Sequence, residues 1–154
     1  MMPFDTKALL DREITGAHST VTIPIPEGDY PGVCNADKLE IREVTSKKNG
    51  ETYFFFETSW DIDSEEVRQI TGRDVNRVRL SISLDFADDG TLKAGEGENV
   101  ALGRMRAACD LNDPNRPFTF REFGGQVATV RVKHRVNEQT GDIMAEASRV
   151  SKPE

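Results

Sequence analysis

Two stretches of strict alternation constrain this chain more than anything else in it. From Arg79 to Phe86, Leu80, Ile82, Leu84 and Phe86 alternate with Arg79, Ser81, Ser83 and Asp85. From Val130 to Val136, Val130, Val132, His134 and Val136 alternate with Arg131, Lys133 and Arg135. A period of two is that of a β-strand with one face buried and one wet. A chain holding two such segments, about fifty residues apart, must build a sheet and cover one side of it.

Other strands fall into place around these. Tyr30 to Val44 reads as a long strand with Val33, Leu39 and Ile41 on one parity, and a switch near Ala36 marks a bulge. Lys48-Asn49-Gly50-Glu51 contains Asn-Gly, a strong hairpin signal, and Thr52 to Ile62 follows as the second strand. The acidic run Asp61 to Glu66 leads into a short helix or loop ending near Gly72. After the Asp88-Asp89-Gly90 turn, Asn99 is placed to cap a helix running to about Leu111, with Val100, Leu102, Met105, Ala108 and Leu111 facing the core. Asn112 to Pro117 stops it. Phe118, Phe120 and Phe123 precede Gly124-Gly125, a strand spans Val127 to Val136, and the Thr140-Gly141 turn returns the chain along Ile143 to Val150.

The expected fold is therefore mainly β. Three strands, a helix and two strands give the connectivity of a five-stranded OB-type β-barrel with one helix between strands three and four. The order also fits other small β-barrels. Residues 28–154 would form the barrel and residues 1–27 an N-terminal arm, packed on it or mobile. In the arm, Phe4 to Ile14 could form a short helix capped by Asp5. Ile23-Pro24-Ile25-Pro26 cannot be a central strand, because proline lacks the backbone donor.

At 154 residues the chain suits one domain. Its apolar fraction of 36% and charged fraction of 31% are those of a globular rather than a disordered chain. Its longest apolar cluster, near Phe54, is far short of the roughly 20 residues of a membrane helix, so no membrane partner is expected. No secretory signal is read, and a cytoplasmic location follows. Cys34 and Cys109 lie outside any CxxC spacing. Reduced, buried thiols are expected there, with a disulfide as the alternative. The net charge of −7 argues against a non-specific polyanion binder unless the positive residues are segregated.

They are segregated. Arg131, Lys133 and Arg135 share one face of their strand, with no acid between Gly125 and Val136. Such a stripe can track a phosphate backbone; it is equally the make-up of an ordinary solvated edge, where cations discourage strand pairing. Arg79, Arg104 and Arg106 could extend it. The Thr52–Ile62 strand supplies the second feature. Phe54, Phe56, Trp60 and Ile62 take one parity and Tyr53 and Phe55 the other, so the two sets cannot share a core. If the first set fills the interior, Tyr53 and Phe55 face outward as platforms on which bases can stack. The alternative is that they pack under the arm or the helix.

Nothing comparable points to catalysis. His134 sits at an apolar-parity position, as a satisfied core or edge histidine does. His18 has no Cys or His at metal spacing. Asp61 and Asp63, Glu65 and Glu66, and Asp88 and Asp89 fall in turns and solvated segments rather than in a buried pair. No GxSxG, P-loop or GxGxxG motif occurs. The expectation is a binding protein, not an enzyme, with no cofactor, metal or catalytic residue.

Several segments together resemble a family of bacteriophage single-stranded DNA-binding proteins with an OB fold. They are Glu27-Gly28-Asp29-Tyr30, the Lys47-Lys48-Asn49-Gly50 turn, Tyr53-Phe54-Phe55-Phe56-Glu57, Leu102-Gly103-Arg104-Met105, and Phe118 to Val127 running into the basic strand. The likeness covers roughly Glu27 to Pro153 and lies in element order and turns. It implies single-stranded DNA as partner, in phage replication or recombination in the host cell cytoplasm, without sequence specificity. It also implies stacking by Tyr53 and Phe55 and backbone contact by Arg131, Lys133 and Arg135. The closing residues Ser151-Lys152-Pro153-Glu154 depart from the acidic tail that many such proteins use to recruit replication partners. A virion or assembly protein, whose barrel associates with copies of itself, is the competing reading.

Overall fold

The computed structural model describes residues 5–153. Phe4, the first residue of the expected arm helix, and Glu154 lie outside them. The strands are β1 (Gly28–Cys34), β2 (Glu40–Thr45), β3 (Thr52–Ile62), β4 (Arg77–Leu84), β5 (Val127–Val136) and β6 (Ile143–Ser151). The α-helices are α1 (Thr6–Asp11), α2 (Glu65–Thr71) and α3 (Val100–Ala108), with 3-10 turns at Ala36–Lys38 and Phe120–Phe123.

All pairings are antiparallel. β4 takes one edge of β3 from Phe54↔Leu84 to Asp61↔Arg77, while β2 and then β1 share the other. β1 also pairs with β5, and β5 with β6. The result is a six-stranded open sheet, mainly β as expected, but not a closed five-stranded barrel with a single helix.

Two physical causes account for the difference. The expected first strand breaks at Asn35, whose side chain accepts from the Asp37 backbone N–H at 2.9 Å and starts a 3-10 turn. The break makes two strands of one and reverses the parity. Cys34 points inward and is buried, and Val33, expected to share a face with Ile41, lies on the outer face opposite Val127. At the far side, β4 and β6 approach each other without a hydrogen-bonded ladder. A bulge between Arg131 and Val132 shifts the register of β6, and α3 packs against both strands.

The core is the inner face of the curled sheet. Phe56, Trp60 and Ile62 of β3 meet Val78, Leu80, Ile82 and Leu84 of β4, Val130 and Val132 of β5, and Leu102 and Met105 of α3. Each such side chain contributes roughly 1.5–3 kcal/mol on burial. Trp60 satisfies its indole N–H on Thr58 Oγ1 (2.9 Å), and Thr58 in turn donates to the Leu80 carbonyl (3.0 Å), so this buried polar pair leaves no orphan donor. Phe118, Phe120 and Phe123 close one end over Phe56, with Phe56 and Phe120 edge-to-face at 4.7 Å between centroids.

Asn99 occupies the N-cap position of α3, but its side chain does not cap the helix. It holds a left-handed φ of 47° and binds the Asp85 backbone N–H and C=O and the Lys93 C=O instead, tying the helix entry to the end of β4. Asp5 does cap α1, accepting from the Lys7 and Ala8 N–H groups. No side chain of α1 is buried; the arm docks through its last residues, where Ile25 enters the core with its carbonyl 2.7 Å from His134 Nε2, the Pro26 carbonyl accepts from the Tyr30 hydroxyl (2.9 Å) and the Glu27 carboxylate accepts from the His134 backbone N–H (2.8 Å). His134 is a satisfied edge histidine. Among the described residues, no helix is long and apolar enough to cross a membrane.

Candidate nucleic-acid interface

The outer face of β3 carries Tyr53, Phe55, Glu57, Ser59 and Asp61, because the apolar set of the opposite parity is taken up by the core. Across β4 its neighbours are Ser83, Ser81, Arg79 and Arg77; across β2 they are Val44, Arg42 and Glu40. Both rings therefore point outward. Tyr53 is 43% exposed, and its hydroxyl donates to the Glu51 carboxylate (3.0 Å) and accepts from Asn49 Nδ2 (3.2 Å). These bonds tie the ring to the Asn-Gly turn. Phe55 is half-buried, with the Arg42 guanidinium 5.4 Å from its centroid.

Arg42 also pairs with Glu57 at 2.8 Å. Glu57 is largely buried, an unusual place for a carboxylate, and this ion pair accounts for its burial. Beside it opens a groove of about 500 Å³ across the gap between β4 and β6, into which Arg42, Arg79 and Arg135 converge with Ser81, Glu57 and Glu146. Arg79 has no ion-pair partner among the described residues, while Arg135 reaches Glu146 at 3.4 Å.

The three expected cations thus separate. Arg135 joins the aromatic face through the groove. Lys133 is exposed, opposite Glu146 in register, and lines no part of the groove. Arg131 lies farther along β5, bound in a bidentate pair to Asp29 of β1 at 2.9 and 3.2 Å. That pair holds the Asp29 carboxyl below its ordinary range and raises the Arg131 guanidinium, chiefly through the hydrogen bonds between them.

Arg42 escaped the sequence reading although a signal existed. Counting back from the Asn-Gly turn, with Thr45 opposite Thr52, places Arg42 opposite Phe55. The role of Glu57 had no such signal, because nothing in the sequence marks a strand carboxylate as buried.

The arrangement offers an aromatic surface, a cluster of guanidinium groups able to bind phosphate oxygens, and carboxylates able to accept from base amino groups. Among the described residues, no group of three or more His, Cys, Asp or Glu side chains is arranged to hold a metal ion. No protein-family model matches the chain, and no curated protein matches it either.

Proposed function

We propose that this protein binds single-stranded DNA without sequence specificity on the outer face of β3 and β4, in the setting of phage replication or recombination that the resemblance implies. The observation that carries the reading is the convergence of Arg42, Arg79 and Arg135 on one groove beside the outward-facing Phe55 ring. Stacked bases would lie over Phe55 and Tyr53 while the sugar–phosphate backbone follows the guanidinium groups.

The order of elements supports the same reading. With β1 and β2 taken as the halves of one bent strand, the chain runs strand, strand, helix α2, strand, helix α3, strand, strand. With α2 counted as an insertion between the second and third strands, the order resembles OB-type connectivity, in which the face of those two strands and the loops beside it carry oligonucleotides. Here that face is β3 and β4, flanked by the hairpin turns at 46–51 and 137–142. The net charge of −7 is compatible with it. Screening limits the reach of distant acids to about 8–10 Å near physiological salt, so a basic groove operates beside an acidic flank.

Fluorescence anisotropy with labelled oligo(dT) over a salt series tests the proposal. The expected result is saturable binding at low salt that weakens steeply as salt rises. A flat signal at high protein concentration and low salt would reject it. The competing reading, self-association in an assembly, draws on the arm, where Leu10, Ile14 and Val21 are exposed. It predicts a large mass in solution that is indifferent to DNA.

A further inference from the structure

Because β4 and β6 do not pair, a row of neighbouring hollows follows the free edge of β6 from Met144 to Lys152. Its first part is the groove already described, lined by residues 144–147 of β6. Beyond it, a narrow hollow of about 120 Å³ between β4 and α3 is lined by Leu80, Ile82, Arg104, Ser148 and Arg149. That hollow shares Arg104, Arg149 and Val150 with a wider one of about 640 Å³, which ends at Lys152. Nine residues, eight of them in β6, at about 3.3 Å each make the whole row roughly 30 Å long.

Charge divides the two halves. Three arginines of the first half share their space with Glu57 and Glu146, and two of the three are tied to those carboxylates. Neither hollow of the second half has an acidic residue in its lining; Arg104, Arg149 and Lys152 line it, and of these only Lys152, at the far end, has a carboxylate partner, Asp110 at 3.7 Å. Arg104 and Arg149 are exposed and have no ion-pair partner among the described residues. The more electropositive part of the surface is thus the part without aromatic rings. It is suited to a polyanion backbone and not to base stacking.

We propose that the bound strand does not end at the aromatic face but continues along the open seam, with Arg104 and Arg149 as backbone-contact residues of a second, purely electrostatic subsite. This inference rests on the single-stranded DNA reading and deepens it. Binding is therefore bipartite. A short oligonucleotide occupies the β3–β4 face alone, and a longer one gains the seam as well.

The test compares oligo(dT) of about 5 and about 16 nucleotides, near the two ends of the range covered by one OB domain, on the full chain and on the double variant Arg104→Ala/Arg149→Ala. The longer strand should lose about tenfold or more in affinity in the variant. Its slope of log affinity against log salt should become shallower by about 1.4, from two lost contacts at about 0.7 each for a single strand. The short strand should be unaffected. The charge-preserving Arg104→Lys/Arg149→Lys should keep most of the long-strand affinity, which separates a phosphate contact from damage to the fold. Equal loss for both lengths, or no loss for the longer, overturns the second subsite while leaving the aromatic face standing. No binding at either length by the unaltered protein overturns both.

Discussion

Arg131 stands between an acid and a base: its guanidinium is bound at two points by Asp29 of β1, while its register partner across β5 and β6 is Arg149. Like charges directly opposite in an antiparallel pair repel, and Asp29 offsets that repulsion. One carboxylate therefore both supports this corner of the sheet and draws Arg131 away from any external anion.

Replacing Asp29 with asparagine should move these two effects in opposite directions. Stability should fall slightly as Arg131 and Arg149 lose their shared counter-charge. Affinity for a long single strand should rise, with a salt slope steeper by about 0.7 as one more phosphate contact becomes accessible. An unchanged affinity would place Arg131 outside the path of the strand. The pH dependence has a definite sign. Asp29, through Arg131, and Glu27, through the His134 backbone N–H, titrate below their ordinary values in the folded protein. Their contribution is present above about pH 4, the unfolded carboxylate range, and is lost as pH falls through the lower folded values. Thermal midpoints followed from neutral pH into acid should therefore fall less steeply in Asp29→Asn than in the unaltered protein.

The two cysteines give a prediction at the other end of the scale. Burial pushes the Cys34 thiol up to about 12 and the Cys109 thiol up to about 11. Raised thiols favour the protonated folded state, so their contribution is present below the unfolded value of about 8.5 and is lost as pH rises through the folded values. Both should resist alkylation near neutral pH under native conditions and react promptly once denaturant unfolds the chain. Rapid native labelling of either would mean that its surroundings open readily.

Gly32 marks the closest approach in the sheet. A Cβ built there would lie 2.6 Å from Cγ2 of Val130, a fully buried side chain on the neighbouring strand. Gly32→Ala should therefore destabilise by about 1–3 kcal/mol through overpacking. Gly50, by contrast, needs its φ of +71° for the turn, and a Cβ there would meet nothing. Alanine at Gly50 would act through backbone strain alone. Chemical denaturation of both variants separates the two mechanisms, since shortening Val130 to alanine should partly rescue Gly32→Ala and leave Gly50→Ala unchanged.

What the sequence made legible was whatever depends on local periodicity. Val127–Val136 is bounded as expected, the alternation of Leu80, Ile82 and Leu84 is the burial pattern of β4, and the split of Trp60 and Phe56 from Tyr53 and Phe55 follows from strand parity. Contacts between distant segments were not legible. The alternation of β5 shows that Arg131, Lys133 and Arg135 share a face but not that Asp29, a hundred residues earlier, occupies one of them. Nor does a local pattern report that β4 and β6 fail to pair, because that depends on a bulge at Arg131/Val132 and on how α3 sits against both strands. Asn99 shows the same limit: a good capping residue was drawn away by backbone groups fourteen and six residues back in the chain.

The rings of β3 permit a last prediction that sorts stacking from structure. Phe55 is half-buried beneath Arg42, so Phe55→Ala removes packing and a cation–π contact along with any stacked base, and some loss of stability is expected. Tyr53 is more exposed and is held by the turn residues Asn49 and Glu51, so Tyr53→Ala should leave the unfolding transition nearly unmoved. Each ring that stacks on a base should cost about 1–3 kcal/mol of binding when removed, which is roughly 5- to 150-fold in affinity. Phe55→Trp and Tyr53→Phe preserve a π-face and should bind nearly as well as the unaltered chain. Because stacking neutralises no phosphate, both alanine variants should weaken binding with an unchanged salt slope, whereas Arg79→Ala should make the slope shallower. A Tyr53→Ala variant that folds and binds normally would remove that ring from the interface, and the same result for Phe55→Ala would leave the β3 face with no stacking role.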